Sequence, residues 1–257
     1  MNRMVGTNHS YSKEHAEFYD ARIGATERED ESFYIECAQK EDGPVLELAC
    51  GTGRIYLGLL SAGIDADGFD LSADVLDVLR ESASEGDFEP SVWQANMTDF
   101  EVSREYNLAI CPFNAFQHLL TVDAQLSALQ SIYDALAPGG KLILDTFVPS
   151  FEVICETYGE WRTETVAYRN DSYEFRTRSQ VIDEVEQQFV VENELWEPDG
   201  AKVFTEDHRL KMLPKREMEL LAHLSPFTDW RATGDFDRSP IADGDSIQVW
   251  TLSKDHD

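Results

Sequence analysis

Residues 45–56 read Val-Leu-Glu-Leu-Ala-Cys-Gly-Thr-Gly-Arg-Ile-Tyr, and this stretch constrains the chain more than any other. A short apolar run opens through two glycines into an amphipathic pattern. That order predicts a strand turning sharply into a helix, the opening unit of a parallel α/β sheet. Gly51 and Gly53 let the backbone turn and approach a ligand without a Cβ in the way. The helix that follows presents N–H groups that have no intrahelical partner. A G-x-G loop alone is generic, so its surroundings decide what it holds.

Those surroundings are repeated βα units. Strands are expected at 45–49, 64–69, 91–94, 108–111 and 141–147, with helices at 55–62, 73–82 and 123–136. The turn Ala137-Pro138-Gly139-Gly140 breaks the chain before the fifth strand. From 161 to 210 the pattern becomes alternating and rich in Thr, Val, Tyr, Phe and Trp, which predicts an antiparallel meander with one polar face. A helix is expected over 215–224, with Pro214 suited to its first turn. Strands near 228–233 and 246–252 would complete the sheet. With no internal repeat or low-complexity linker, residues 1–257 read as a single domain. Its parts are an N-terminal helical lid (1–40), a βα core (41–150), an antiparallel insertion (151–212) and a final helix with two strands (213–257).

Asp70 closes the second strand 19 positions beyond Gly51, where an acid can accept both ribose hydroxyls of an adenosine. A dinucleotide loop would carry a third glycine at position 56, to bring the helix close to the strand; Tyr56 stands there. S-adenosylmethionine has no phosphate, so for it the requirement lapses. Glu47 adds to the contrast, because a carboxylate inside a doubly covered strand is costly unless paired. A sulfonium and an ammonium nearby would pair it, and the same carboxylate can cap loop N–H groups at the same time.

Glu47-Leu48-Ala49-Cys50-Gly51-Thr52-Gly53-Arg54 resembles motif I of the class I S-adenosylmethionine-dependent methyltransferases, and Gly68-Phe69-Asp70-Leu71-Ser72 resembles their second motif. Residues Gln94 to Phe100 resemble the third motif, residues Cys111 to Leu119 the fourth, and residues Leu136 to Leu142 the turn before strand five. Ser32-Phe33-Tyr34 is similar to one bacterial and archaeal subgroup. The likeness runs from about Tyr19 to Pro149. It implies a Rossmann-like, seven-stranded mixed sheet with helices on both faces and the last strand antiparallel. The cofactor would lie across the C-terminal strand ends, where open α/β sheets hold ligands. The implied cofactor contacts are Glu47, Ala49, Gly51, Thr52 and Gly53, then Asp70 and Leu71, then Asn96 and Met97 beside the adenine, then Cys111 and Phe113 at the rim. Tyr19, on the helix that closes over the cofactor in this family, would reach the methionine end. Asn96 replaces the family's usual Asp and keeps a carbonyl for the adenine amino group.

Methyl transfer from a sulfonium depends chiefly on alignment, and a base is needed only if the acceptor must lose a proton. His118 and Asp145 are the candidates. The insertion resembles that of amino-sugar N-methyltransferases, which implies a small-molecule acceptor methylated on N or O. Its aromatics (Trp161, Tyr168, Tyr173, Phe175, Trp196) either roof that acceptor or form ordinary strand packing. Two other readings remain: a catalytically silent adenosylmethionine-binding module, and an NAD-linked oxidoreductase, which Tyr56 and the lack of a Tyr-x-x-x-Lys pair disfavour.

The chain carries 50 acidic against 21 basic residues, a net charge of −29. Such an excess opposes compaction in dilute buffer, and molar salt shortens the screening length to roughly 3 Å. A salt-loving host cytoplasm is therefore expected. The same charge argues against a nucleic-acid partner. Cys37, Cys50, Cys111 and Cys155 are too scattered for a disulfide framework or a metal site. No signal peptide or membrane-length segment is expected, and the protein reads as a cytoplasmic monomer or homodimer.

Overall fold

The computed structural model describes residues 13–23 and 29–256. Two helices, α1 (Lys13–Ile23) and α2 (Glu29–Ala38), precede the βα core of β1 (Val45–Leu48), α3 (Arg54–Ser61), β2 (Ala66–Asp70), α4 (Ala73–Glu85), β3 (Ser91–Gln94), β4 (Tyr106–Cys111), α5 (Val122–Ala135) and β5 (Leu136–Phe147). A short 3-10 turn, Ala115–His118, follows β4. After β5 come α6 (Phe151–Thr157), strands β6 (Arg162–Tyr168), β7 (Asp171–Asp183), β8 (Gln188–Trp196) and β9 (Lys202–Lys211), then α7 (Lys215–Leu224), β10 (Asp229–Gly234) and β11 (Ile247–Ser253).

The main sheet has seven strands in the order β10-β11-β5-β4-β1-β2-β3. β11 runs antiparallel to both neighbours, β5 and β10, while the pairs from β5 to β3 are parallel. The mixed Rossmann-like sheet expected from the sequence is thus present, with the chain's last strand reversed. β1 sits near the centre and is buried at all four residues. Because successive side chains point to opposite faces, Leu46 and Leu48 join the core under α5 and α7, and Val45 packs with Ile55, Tyr56 and Leu59 of α3. Glu47 falls on the α3 side.

Tyr56 explains how α3 packs without a glycine at that position. Its ring lies over Gly68, where an added Cβ would come within 3.2 Å of Tyr56 Cδ2. Its hydroxyl donates to Ala66 O (3.0 Å) and accepts from Ser91 N (2.9 Å). The glycine that makes room for this helix is therefore in β2, not in the helix.

Two local readings shift. β5 starts at Leu136, because the chain on both sides of Pro138-Gly139-Gly140 pairs with β4 through a bulge between Tyr106 and Leu108. Helix α6 was not expected from the pattern; it buries none of its residues, so no hydrophobic period announces it, and Ser150 Oγ caps it by accepting from Val153 N (3.3 Å).

The strands β6-β7-β8-β9 form a separate four-stranded antiparallel sheet in chain order. On one face Phe175, Leu195 and Phe204 pack around Phe18 of α1. The other face carries ion pairs, among them Arg178–Glu192 and Lys202–Glu194. No helix among the described residues is long and apolar enough to cross a membrane.

Candidate functional site

At the C-terminal ends of β1, β2 and β4 the chain builds a cleft roofed by α1. The loop after β1 holds Ala49 (φ 53°), Gly51 (φ 55°) and Gly53 (φ 95°) in the left-handed region. A Cβ on Gly51 would point into open space, whereas one on Gly53 would come 2.7 Å from Leu79 Cγ. Gly51 therefore keeps the loop backbone open toward the cleft, and Gly53 lets α3 approach α4. Asp70 fixes the loop from β2: Oδ2 accepts from Gly51 N (3.0 Å) and Oδ1 from Ser72 N (2.9 Å). A third N–H, that of Leu71, also bonds this carboxylate, so of its four acceptor sites one remains for a hydroxyl. Burial raises the pKa of Asp70 against these three N–H bonds.

Glu47 is 3% exposed and its Oε2 has no hydrogen-bond partner. Burial pushes its carboxyl well above the usual range; the Arg54 guanidinium opposes the shift and Asp70 adds to it. Arg54 is committed elsewhere, in a bidentate pair with the buried Asp30 (2.9 and 2.6 Å). The capping of the loop amide at Gly51, which Glu47 could also have supplied, falls to Asp70. An orphaned buried acid beside an open glycine loop fits a cationic ligand.

Helix α1 reaches the same cleft. The Asp20 carboxyl, raised by burial, hydrogen-bonds Thr52 in the loop. The Tyr19 ring stands 6.2 Å from that of Phe113, and the Arg54 guanidinium lies 5.5 Å from the Phe113 ring. On the β2–β3 side, Leu71 is exposed and Met97 half-buried. Asn96 Oδ1 accepts from both Thr98 N and Thr98 Oγ1 (3.0 Å each), which turns the chain there.

The loop after β4 is held by Asp145, which is 1% exposed on β5. Its Oδ1 accepts from Tyr34 Oη (2.6 Å) and Phe113 N (2.8 Å), and its Oδ2 from Asn114 N (2.9 Å). Phe113 and Asn114 are both left-handed (φ 56° and 60°), at about 1–2 kcal/mol each for non-glycine residues. Successive N–H groups in that conformation converge on an anion, and bonds to a charged group contribute roughly 1.5–3 kcal/mol each. The carboxylate outweighs the strain. Burial pushes Asp145 up to about 6 although all three donors pull it down. Cys111, at the end of β4, is fully buried, and its thiol is pushed up by that burial.

His118 is exposed at the end of the 3-10 turn, with its ring 6.4 Å from that of His208 on β9. His208 stands 5.4 Å from His15 on α1. The cleft thus gathers Glu47, the glycine loop, Asp70, Tyr19 and Phe113, while Asp145 sits behind it. Sequence reasoning assigned no role to His15 or His208, and none to Tyr34 or Gln117. Gln117 is buried; it donates to Lys211 O (2.8 Å) and accepts from Phe147 N (3.2 Å). These residues come together only through long-range pairing, and isolated His or Gln residues carry no local signal.

The β1–β5 core and its cradle define a class, the Rossmann-like methyltransferase fold. Residues 45–140 match a family model described as a methyltransferase domain. YqeM of Bacillus subtilis (strain 168) is 25% identical over 238 residues, 90% of this chain and 93% of its own length. The dTDP-4-amino-2,3,4,6-tetradeoxy-D-glucose N,N-dimethyltransferase of Saccharopolyspora spinosa is 24% identical over 223 residues, 82% of this chain and 84% of its own. Among solved structures, an S-adenosylmethionine-dependent methyltransferase from Clostridium acetobutylicum ATCC 824 superposes with a TM-score of 0.74 at 17% identity, covering 93% of this chain and 97% of that one.

Proposed function

We propose that the chain transfers a methyl group from S-adenosylmethionine to nitrogen or oxygen of a small molecule, with the insertion sheet covering the acceptor. The observation that carries this reading is Glu47, a buried carboxylate whose Oε2 has no partner, beside the open face of the Gly51 loop. In this reading Glu47 holds the cationic methionine end with Tyr19 above it, and Asp70 takes the ribose. Asn96, Met97 and Leu71 bracket the adenine, with Ala49, Thr52, Gly53, Cys111 and Phe113 shaping the walls. When bound, the cofactor supplies an electrophilic methyl on a sulfonium leaving group. The protein's part is to align the acceptor's lone pair with it and to exclude water.

His118, exposed on the acceptor side, is the group placed to take a proton. Asp145 has both oxygens occupied by the Tyr34 and loop donors, so we assign it to positioning the Phe113-Asn114 loop instead. A small-molecule acceptor is supported by the Saccharopolyspora relative, an amino-sugar N,N-dimethyltransferase. The acidic surface supports a salt-rich cytoplasm as the working environment.

Calorimetry in concentrated KCl tests the cofactor. S-adenosylmethionine and its demethylated product should bind, NAD should not, and Asp70→Ala should abolish tight binding. Unchanged affinity in Asp70→Ala would falsify the ribose placement. Transfer of labelled methyl into a fractionated metabolite extract tests the chemistry; tight cofactor binding with no transfer to any fraction would favour a silent binding module.

A further inference from the structure

Where α1 meets the glycine loop, the cleft is bordered by three carboxyl groups. Asp20 bonds Thr52, Asp70 holds Gly51, and Glu47 keeps an oxygen without a partner. The cation set among them is Arg54, whose side chain is 14% exposed. Its guanidinium lies 5.5 Å from the Phe113 ring, and Tyr19 and Glu47 both act on its charge. Burial lowers its pKa, and the Asp30 carboxylate more than reverses that, so Arg54 stays charged.

The fold uses only part of this side chain. Nη1 donates to Asp30 Oδ1 (2.9 Å) and Nη2 to Asp30 Oδ2 (2.6 Å). A guanidinium carries five N–H donors in a planar fork, so this end-on pair takes two and leaves three, the Nε–H edge included. Glu47 is near enough for Arg54 to oppose the rise in its pKa, yet the ion pair that Arg54 makes is with Asp30. A carboxylate and a guanidinium that attract without meeting are the two poles of a site for a zwitterion. The loop amides of the two glycines are no alternative anion site. Gly51 N donates to Asp70, and Gly53 N to Cys50 O.

The amino-acid end of S-adenosylmethionine is such a zwitterion, with its ammonium and carboxylate on one carbon. Resting on the methyltransferase reading of the cleft, we infer that Arg54 receives the donor's carboxylate while Glu47 takes its ammonium. Asp30, 4% exposed on α2, is the positioning residue, since its bidentate grip fixes the plane of the guanidinium. The pair makes the cradle selective. A sulfonium that has lost the carboxylate leaves the remaining edge of Arg54 unmatched in a half-closed site.

Decarboxylated S-adenosylmethionine, which differs from the donor only in that carboxylate, is the probe. Each compound is titrated by calorimetry into the full chain in concentrated KCl, where a buried pair is screened much less than an exposed one. The wild type is expected to bind S-adenosylmethionine about tenfold or more tighter than the probe, roughly 1.4 kcal/mol. Arg54→Gln should bring the donor's affinity down to that of the probe and leave the probe bound no more weakly than before, which also shows that the variant is folded. Because this change leaves the buried Asp30 without its bidentate partner, Asp30→Asn together with Arg54→Gln, which removes both charges, is measured beside it with the same result expected. Equal binding of the two compounds by the wild type, or a preference for the donor that survives in either variant, would overturn the inference. Loss of both compounds in the double variant would assign Arg54 to the fold alone and overturn it too. If the wild type binds neither compound, the methyltransferase reading itself falls, and this inference with it.

Discussion

Tyr34 on α2 donates a 2.6 Å hydrogen bond to Asp145 Oδ1 on β5, across 111 positions of chain and with both groups buried. Through Asp145 this contact reaches the Phe113 and Asn114 amides, so helix α2 is joined to the rim of the cleft.

Tyr34→Phe removes one bond to a carboxylate, which stabilises by roughly 1.5–3 kcal/mol. At about 2–4 °C per kcal/mol for a chain of this size, a fall in Tm of about 3–12 °C is expected by calorimetry. The variant should also raise Asp145 above its value of about 6, because the phenol holds that pKa down. Carboxyl-carbon NMR titration reads the shift; a lower pKa in the variant would contradict the network.

Glu47→Gln separates stability from binding. The folded pKa of Glu47 lies above its unfolded value, so its stabilising effect is complete below about 4.3 and is lost as pH rises through the folded value. At neutral pH the charged form is a burden that glutamine lacks. The ligand-free variant should melt higher and lose less stability between pH 5 and 8, while S-adenosylmethionine binds about tenfold or more weaker, a loss of roughly 1.4 kcal/mol. A lower Tm with undiminished binding would remove Glu47 from the ligand site.

Ala49 occupies a left-handed conformation (φ 53°). That conformation costs about 1–2 kcal/mol for a residue with a Cβ, and glycine's greater entropy loss on folding offsets about 0.5–1 kcal/mol of it. Ala49→Gly should therefore stabilise by up to about 1.5 kcal/mol, measured by urea unfolding.

His15 has the opposite pH signature. Burial lowers its pKa to about 4, so its stabilising effect is present above about 6.5 and lost as pH falls toward 4. The shift corresponds to roughly 3 kcal/mol across that window. Asp145 works the other way, losing stability as pH rises from 3.8 through about 6. The His15 and Asp145 contributions should thus nearly offset between pH 4 and 6, leaving the decline that Glu47 sets, and His15→Phe should show stability declining more steeply with pH over that interval.

A net charge of −29 predicts strong salt dependence. Below about 0.1 M salt, where screening extends past roughly 10 Å, Tm should fall sharply, and KCl near 2 M should restore it. A melting curve indifferent to KCl would remove the salt-adapted reading.

What the sequence shows and hides follows from range. The β1 loop, Asp70 and the βα alternation are local patterns, and Gly51, Gly53 and Asp70 meet as their spacing implies. The insertion's strands announce themselves by alternation, but which residues face α1 depends on register. That choice puts Glu206 and His208 on one face with Phe204, and it is fixed by contacts with Phe18 and His15 that lie far away in the chain. Tyr56 reads correctly as the absence of a third glycine, while its compensation, Gly68, is visible only once the helix is docked.

The two glutamines that anchor the insertion have an evolutionary consequence. Gln117 grips Phe147 N at the entrance and Lys211 O at the exit, and Gln248 holds Leu213 O just beyond (2.6 Å). At these points the segment is fastened to the core by its backbone atoms, which any sequence supplies, and its side chains are answerable to the face of α1 around Phe18. The segment from α6 to β9 is thus an exchangeable cassette: under the proposed function, a lineage that rewrites it together with that one helix face, or an engineer who transplants one from a relative, changes the acceptor without reopening the cradle around the Gly51 loop.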